Sequence, residues 1–363
     1  MIAGGRVADD SHAGAFPVNR DHARAARAEG SPIMDIFTHA DAMRATCIGT
    51  AIAIVLGAAV TANAAEPFCP EGTIKFVAPF AAGGPTDITS RLFAESLRGQ
   101  FGQTVIVEAR PGASGSIGTA YVAQQRGDGC TILLSYDTHA INPAVYPQLP
   151  FDTLKAFRPV MLIGTVPNAI AVNAAQPYKT FDELIAAAKK SELVYGAGSS
   201  AGVAHFTMKL IEELYGVRLN LVPYKGAAPA VQDLLGNHIP IMIGSVFSLS
   251  PGVRDGRLRA LVQTGLTRHP LMPDIPTVAE LGHPGFSGVS WMGIFLPAGA
   301  SGALVTRLHD ALVVALHEPV VRERLITLGV EIVGSSPDEL DAFLRGEIAR
   351  WGDIVKRYDI KAE

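Results

Sequence analysis

From residue 74 onward, short apolar runs alternate with amphipathic stretches. Ile74 to Ala78 (Ile-Lys-Phe-Val-Ala) is too brief for a helix and predicts a buried strand. Thr104 to Glu108 and Thr131 to Ser135 are short and rich in β-branched residues, and predict two more. Gly-rich turns at 81–85 and 110–118 each lead into a helical pattern. Pro85-Thr86-Asp87 joins a turn residue to N-cap candidates, so a helix is expected to open at Thr86 or Asp87, with Ile88, Leu92 and Leu97 inward. Gly83 and Gly84 allow close backbone approach to a ligand. Thr138 to Pro143 reads as a loop. Strands alternating with helices imply a parallel sheet covered on both faces, with ligands bound beyond the carboxyl ends of the strands.

The theme then repeats. Val160 to Val172 is nearly continuous apolar sequence, broken at Pro167-Asn168. Thr180 caps an amphipathic helix that closes at Lys189-Lys190. Strands are expected at 193–196, 219–222, 239–243 and within 257–264, with helices from Val203 and over 228–235. Ser290 to Pro297 is again strand-like, and the end is helical over 303–316, 319–328 and 337–358. Two crossings, near 166–173 and 290–297, predict a hinged molecule with a cleft between two α/β domains. The expected organisation is lobe 1 from 65–172 plus 287–363, and lobe 2 from 173–286.

The first 64 residues stand apart. Cys47 to Val60 has the length of a signal-peptide apolar region, Arg44 precedes it, and Ala62-Asn63-Ala64 fits a small-residue cleavage site. Residues 43–64 therefore read as a secretory signal, with a membrane anchor as the alternative. Residues 1–42 read as a disordered leader or an over-extended translation start. An exported chain cut there retains two cysteines, Cys69 and Cys130. They precede the first and third strands. With strand order 2-1-3 these strands are neighbours about 4.8 Å apart, within reach of a disulfide. Two unpaired small residues are the alternative.

The 363 residues carry a net charge of −4, with 48% hydrophobic and 18% charged residues, a globular composition. No basic stripe suggests a nucleic-acid partner. No H-x-x-x-H or C-x-x-C pair suggests a metal, and the spacing Gly112, Gly115, Gly118 is not that of a dinucleotide site. Gly198-Ser199-Ser200-Ala201-Gly202 matches G-x-S-x-G between a strand and a helix. Ser200 could then be an esterase nucleophile, with Asp274 and His283 downstream. No oxyanion segment of HGGG type precedes it, and an anion-binding turn explains the same residues. The helix after Gly83-Gly84 likewise offers free N–H groups to an anion. Asp87 could cap that helix or orient a ligand-bound water.

Several stretches carry a resemblance: Val77 to Asp87 (Val-Ala-Pro-Phe-Ala-Ala-Gly-Gly-Pro-Thr-Asp), Val107 to Ala113, Thr138 to Pro143, Val222 to Gly226 (Val-Pro-Tyr-Lys-Gly) and Ser290 to Gly293. In order and over about 70–363, the chain resembles the periplasmic solute receptors of tripartite tricarboxylate transporters, the Bordetella uptake gene (Bug) family. The resemblance implies a type II, two-lobed Venus-flytrap fold. It implies a monomeric periplasmic receptor, without catalysis or cofactor, that passes a small mono-, di- or tricarboxylate to membrane subunits. It implies ligand contacts from Phe80, Ala82, Gly83, Gly84 and Asp87, from Thr138 and His139, and across the cleft from Ser199, Ser200, Ala201, Lys225 and Ser245. Two departures stand out: Ala109 replaces a common Asn, and Gly244-Ser245 a common acid or Asn.

Overall fold

A computed structural model describes residues 66–360 except Lys225. The expected leader and signal segment lies outside the described residues. The strands are β1 (Thr73–Ala78), β2 (Thr104–Ala109), β3 (Thr131–Tyr136), β4 (Phe157–Asn173), β5 (Leu193–Ala197), β6 (Leu219–Pro223), β7 (Ile241–Ser245), β8 (Leu258–Gln263), β9 (Val289–Pro297) and β10 (Glu331–Ile332). Helices α1 (Pro85–Phe101), α2 (Ser116–Ala123), α3 (Thr138–Val145), α4 (Phe181–Ala188), α5 (Val203–Tyr215), α6 (Ala227–Leu235) and α7 (Val246–Arg254) alternate with them. The chain closes with α8 (Gly302–His317), α9 (Pro319–Thr327) and α10 (Pro337–Tyr358).

The sheet runs β2-β1-β3-β9-β4-β7-β5-β6, with β8 and β10 each paired to β4. β1 is parallel to both β2 and β3, the expected order 2-1-3. β5 is parallel to β6 and β7 in the other half. The long strand β4 serves both halves. Its residues up to Pro167 lie antiparallel to β9, and from Asn168 it pairs with β7. Pro167-Asn168 is therefore a change of partner and not a break. Proline lacks the N–H that a continuing ladder would need, so it suits that point.

A buried polar knot ties the two crossings together. Asn168 Nδ2 donates to the Gly288 carbonyl at 3.2 Å, and the Thr264 hydroxyl donates to the same carbonyl at 2.6 Å. The Asn168 N–H donates to Thr264 Oγ1 at 3.1 Å. A side chain at Gly288 would place its Cβ 2.3 Å from Thr207 Oγ1 on α5. Glycine is what lets the crossing lie against that helix.

Each half-sheet has a core on both faces. In the first half, Phe76, Phe93, Leu97, Ile132 and Leu312 pack on one side, and Val77, Leu133, Phe295, Leu344 and Trp351 on the other. The second of these cores also takes Val203 and Phe206 of α5, so α10 bridges the halves. Phe206 and Trp351 rings lie 5.9 Å apart, and Arg357 reaches Glu213 at 3.0 Å. The inward face of α1 is Thr86, Thr89, Ser90, Phe93, Ala94 and Leu97, while Ile88 and Leu92 are only half-buried.

Cys69 and Cys130 are joined, with Cα atoms 4.7 Å apart, at the amino ends of β1 and β3. Constraining a loop of this length contributes roughly 4 kcal/mol on the chain-entropy estimate. The segment from Thr138, read as a loop, is helix α3. Burial of Ala140, Ile141 and Val145 outweighs the N–H that Pro143 lacks.

Candidate functional site

The carboxyl ends of β1 and β3 put residues 79–87 beside residues 137–139. Residue 84, not 86 or 87, is the N-cap of α1, and Pro85 takes the first helical position. Gly83 has φ +80°, a conformation that glycine adopts without cost. Its N–H donates to Asp87 Oδ2 at 3.0 Å. Arg91 holds the same carboxylate with two 3.0 Å hydrogen bonds. The Arg91 guanidinium, then the Gly83 N–H, keep the Asp87 carboxyl below the usual carboxylate range against the opposing effect of burial. Asp87 thus does not cap its own helix; its carboxylate accepts from the Gly83 N–H and from Arg91. It closes the turn. The helix start leaves the Thr86 and Asp87 N–H groups without intrahelical acceptors.

Phe80 stands against Tyr136, ring centroids 6.2 Å apart. Behind it is a turn whose importance the sequence did not reveal. Residues 112–115 all have positive φ, including Ala113 (+44°) and Ser114 (+51°). Non-glycine residues held there carry strain, which concentrates at functional sites. Asn142 donates to the Ser114 carbonyl at 3.0 Å, and Tyr146 reaches the Ser114 hydroxyl. A Cβ on Gly115 would come within 3.1 Å of the Phe80 ring. The Gly-rich run at 110–118 was the visible signal.

Thr138 opens α3 and is buried. His139 points elsewhere than expected: its ring lies in the core, 4.6 Å from the Phe295 centroid and 5.1 Å from that of Phe157. Burial pushes its pKa down to about 3, so it is neutral. Among the described residues neither ring nitrogen has a hydrogen-bond partner.

In the other half, the 198–202 turn follows β5 and opens α5 at N-cap Gly202. Ser199 Oγ accepts from the Ala201 N–H at 3.1 Å. His205 Nδ1 lies 2.6 Å from the Ser200 carbonyl, which assigns the proton to that nitrogen. Beside this turn runs the segment after β6: the Tyr224 and Gly226 N–H groups donate to the carbonyls of Ala197 and Gly198. Lys225, between them, lies outside the described residues. Ser245 is the N-cap of α7, and its hydroxyl accepts from the Ser248 N–H at 3.2 Å.

The esterase constellation does not assemble. Among the described residues no histidine hydrogen-bonds the Ser200 hydroxyl, and the His205 contact is to a backbone oxygen. His283 packs on Tyr215, at the far end of α5 from Ser200.

Each half therefore presents a small-residue turn at a helix N-terminus, and these ends suit an anion. The chain matches a sequence model of the tripartite tricarboxylate transporter family receptor over residues 89–360. It is similar to the solved periplasmic binding protein BugD, with 33% identity and TM-score 0.72, covering 81% of this chain and 100% of that one. An R. palustris protein solved with adipate is 32% identical, with TM-score 0.74 over 81% of this chain and 99% of that one. MatC from Rhodopseudomonas palustris, solved with bound malate, is 31% identical, with TM-score 0.71 over 79% and 99%. The architecture is that of the two-lobed periplasmic binding proteins. Matched by that family model over most of its length and similar to these proteins across nearly the whole of theirs, the chain belongs to the receptor family of tripartite tricarboxylate transporters.

Proposed function

We propose that this protein captures a small carboxylate in the periplasm and delivers it to the membrane subunits of a tripartite tricarboxylate transporter, without catalysis. One observation carries the reading: each half-sheet ends in a small-residue turn that opens a helix, one at 81–87 and one at 198–202. The adipate and malate held by relatives of the same family support it. Lobe 1 is assigned to 65–172 plus 287–363 and lobe 2 to 173–286, with the Asn168–Thr264–Gly288 knot as the hinge. The ligand is held chiefly by backbone N–H groups at the two turns, with Phe80, Ala82, Gly84, Thr138, Ser199, Ser200, Ala201 and Lys225 around it. Export through residues 43–64 and a monomeric state complete the proposal.

A thermal-shift screen of the purified protein against mono-, di- and tricarboxylates tests it. A ligand that binds only the native state raises stability by roughly 2.7 kcal/mol at 100 times its Kd. The expected outcome is a raised melting temperature with at least one carboxylate. A shift with neutral solutes and none with any carboxylate would reject the reading.

A further inference from the structure

A buried carboxyl group stands at the carboxyl end of β3, where the candidate site begins. Asp137 is 3% exposed. It lies between Tyr136, the last residue of β3, and Thr138, the first of α3. The Ser290 hydroxyl and the Thr138 N–H reach its carboxyl. Ser290 belongs to the crossing strand β9 and pairs with Val166, next to the point where β4 changes partners. Asp137 therefore follows directly on Tyr136, whose ring faces Phe80 of the site turn, and is joined through Ser290 to the crossing strand.

The groups facing it lack a compensating positive charge. From β3, Tyr136 shares the Ser290 hydroxyl and is kept protonated by burial. From α3, His139 is neutral and turned to Phe157 and Phe295. From α10 comes a second buried carboxylate, Glu347, whose charge opposes ionisation of Asp137. Glu347 accepts from Trp351 Nε1 at 2.7 Å and lies 3.6 Å from Arg350. Arg350 is itself drawn to the Ser287 carbonyl. Among the described residues no Lys, Arg or His forms an ion pair with Asp137. A carboxyl so placed resists ionisation. Burial first pushes its pKa up, Ser290 draws it down and Glu347 raises it again, to about 7.

We propose that Asp137 sets the charge that the site tolerates: neutral, it admits a ligand carboxylate at the adjoining turn, and ionised, it repels that carboxylate. This rests on the carboxylate reading of the site. By linkage, an anion bound nearby must in turn favour the protonated form, so binding takes up a proton.

Titration calorimetry of the wild-type protein and Asp137→Asn with adipate, malate and the best carboxylate of the screen, at pH 6.5, 7.5 and 8.5, tests this. Wild-type affinity is expected to fall roughly tenfold across that range, with proton uptake at pH 7.5 seen as a dependence on buffer ionisation enthalpy. Asp137→Asn is expected to show neither. A flat wild-type profile, or the same fall in both proteins, overturns the proposal. Absence of binding by every carboxylate at every pH is a different result, which removes the carboxylate reading and this proposal with it. Ligand-free melting gives an independent arm. A carboxyl with a raised folded pKa costs the wild type stability as pH climbs from about 4 to about 7, and asparagine does not titrate. The melting temperature of Asp137→Asn should therefore gain on that of wild type across this window. A constant difference would show that Asp137 does not titrate as proposed.

Discussion

The turn after β1 and the turn after β5 follow one plan and are locked by different chemistry. Both place small residues between a buried strand and a helix N-terminus. In both, a side chain on the helix or turn reaches back to hold the backbone. After β1 the lock is ionic: Asp87 takes the Gly83 N–H and is neutralised by Arg91. After β5 the lock is uncharged: the Ser199 hydroxyl accepts from the Ala201 N–H, and His205 Nδ1 donates to the Ser200 carbonyl. The difference explains how an acidic residue can sit in the proposed anion site. The Asp87 side chain is 4% exposed and spent on its own turn, so its charge is cancelled where it stands. The turn after β5 is held by hydrogen bonds between uncharged groups.

The largest effect is expected from Gly83→Val, which keeps the N–H but strains the backbone end of the ionic lock. No described residue lies within 4 Å of the added Cβ, but φ is +80°. A β-branched residue there costs about 1–2 kcal/mol in a left-handed conformation. The fold should survive while carboxylate affinity falls at least a hundredfold, as read by calorimetry alongside circular dichroism. Undiminished binding would move the site away from this turn.

Asp87→Ala breaks the same lock from the side-chain end. Losing a buried charge-assisted acceptor costs about 1–2 kcal/mol, near the low end of the range because Arg91 remains solvated. The pH dependence has a definite sign. Asp87 has a lowered pKa, so its stabilisation is fully present above the unfolded value of 3.8 and is lost as pH falls through the lower folded value. The gap in stability between wild type and variant should be constant from pH 5 to 8 and narrow below about pH 4. A gap unchanged at pH 3 in denaturant titrations would mean that the ion pair is not its source.

The uncharged lock should be the more forgiving. Ser199→Ala removes one hydrogen bond, worth about 0.5–1.5 kcal/mol, and His205 still holds the turn. A few-fold loss of affinity is expected, with no pH dependence between 5 and 8 in the stability difference. A loss as large as that of Gly83→Val would show that the two turns are not locked independently.

Much of this was open to a reading of residues alone. The strands and the terminal helices fall close to where apolar periodicity puts them, because each is set by which side chains can share a buried face over a few residues. The small-residue turns were visible for the same local reason, and Ser-Pro at 336–337 marks the start of α10, with its capping box. His139 shows the limit. Its place in a site-like segment suggested a ligand contact, but two aromatic residues far along the chain, Phe157 and Phe295, draw it into the core.

The sequence by itself determined the alternation of strand and helix, the family and the positions of the turns, since these depend on local pattern and on motifs that read in order. Tertiary structure alone decided who holds whom. Pro167-Asn168 looks like an interruption until β9 ends beside it and β7 begins. Asn168, Thr264 and Gly288 become one knot although 96 and 24 residues separate them. Ala113 and Ser114 take positive φ where Asn142 and Tyr146 lie against Ser114. Nothing along the chain singles out Asp137, which the packed molecule buries beside Ser290 and Glu347. Contacts of this kind join residues whose separation along the chain carries no pattern, and only the packed molecule brings them together.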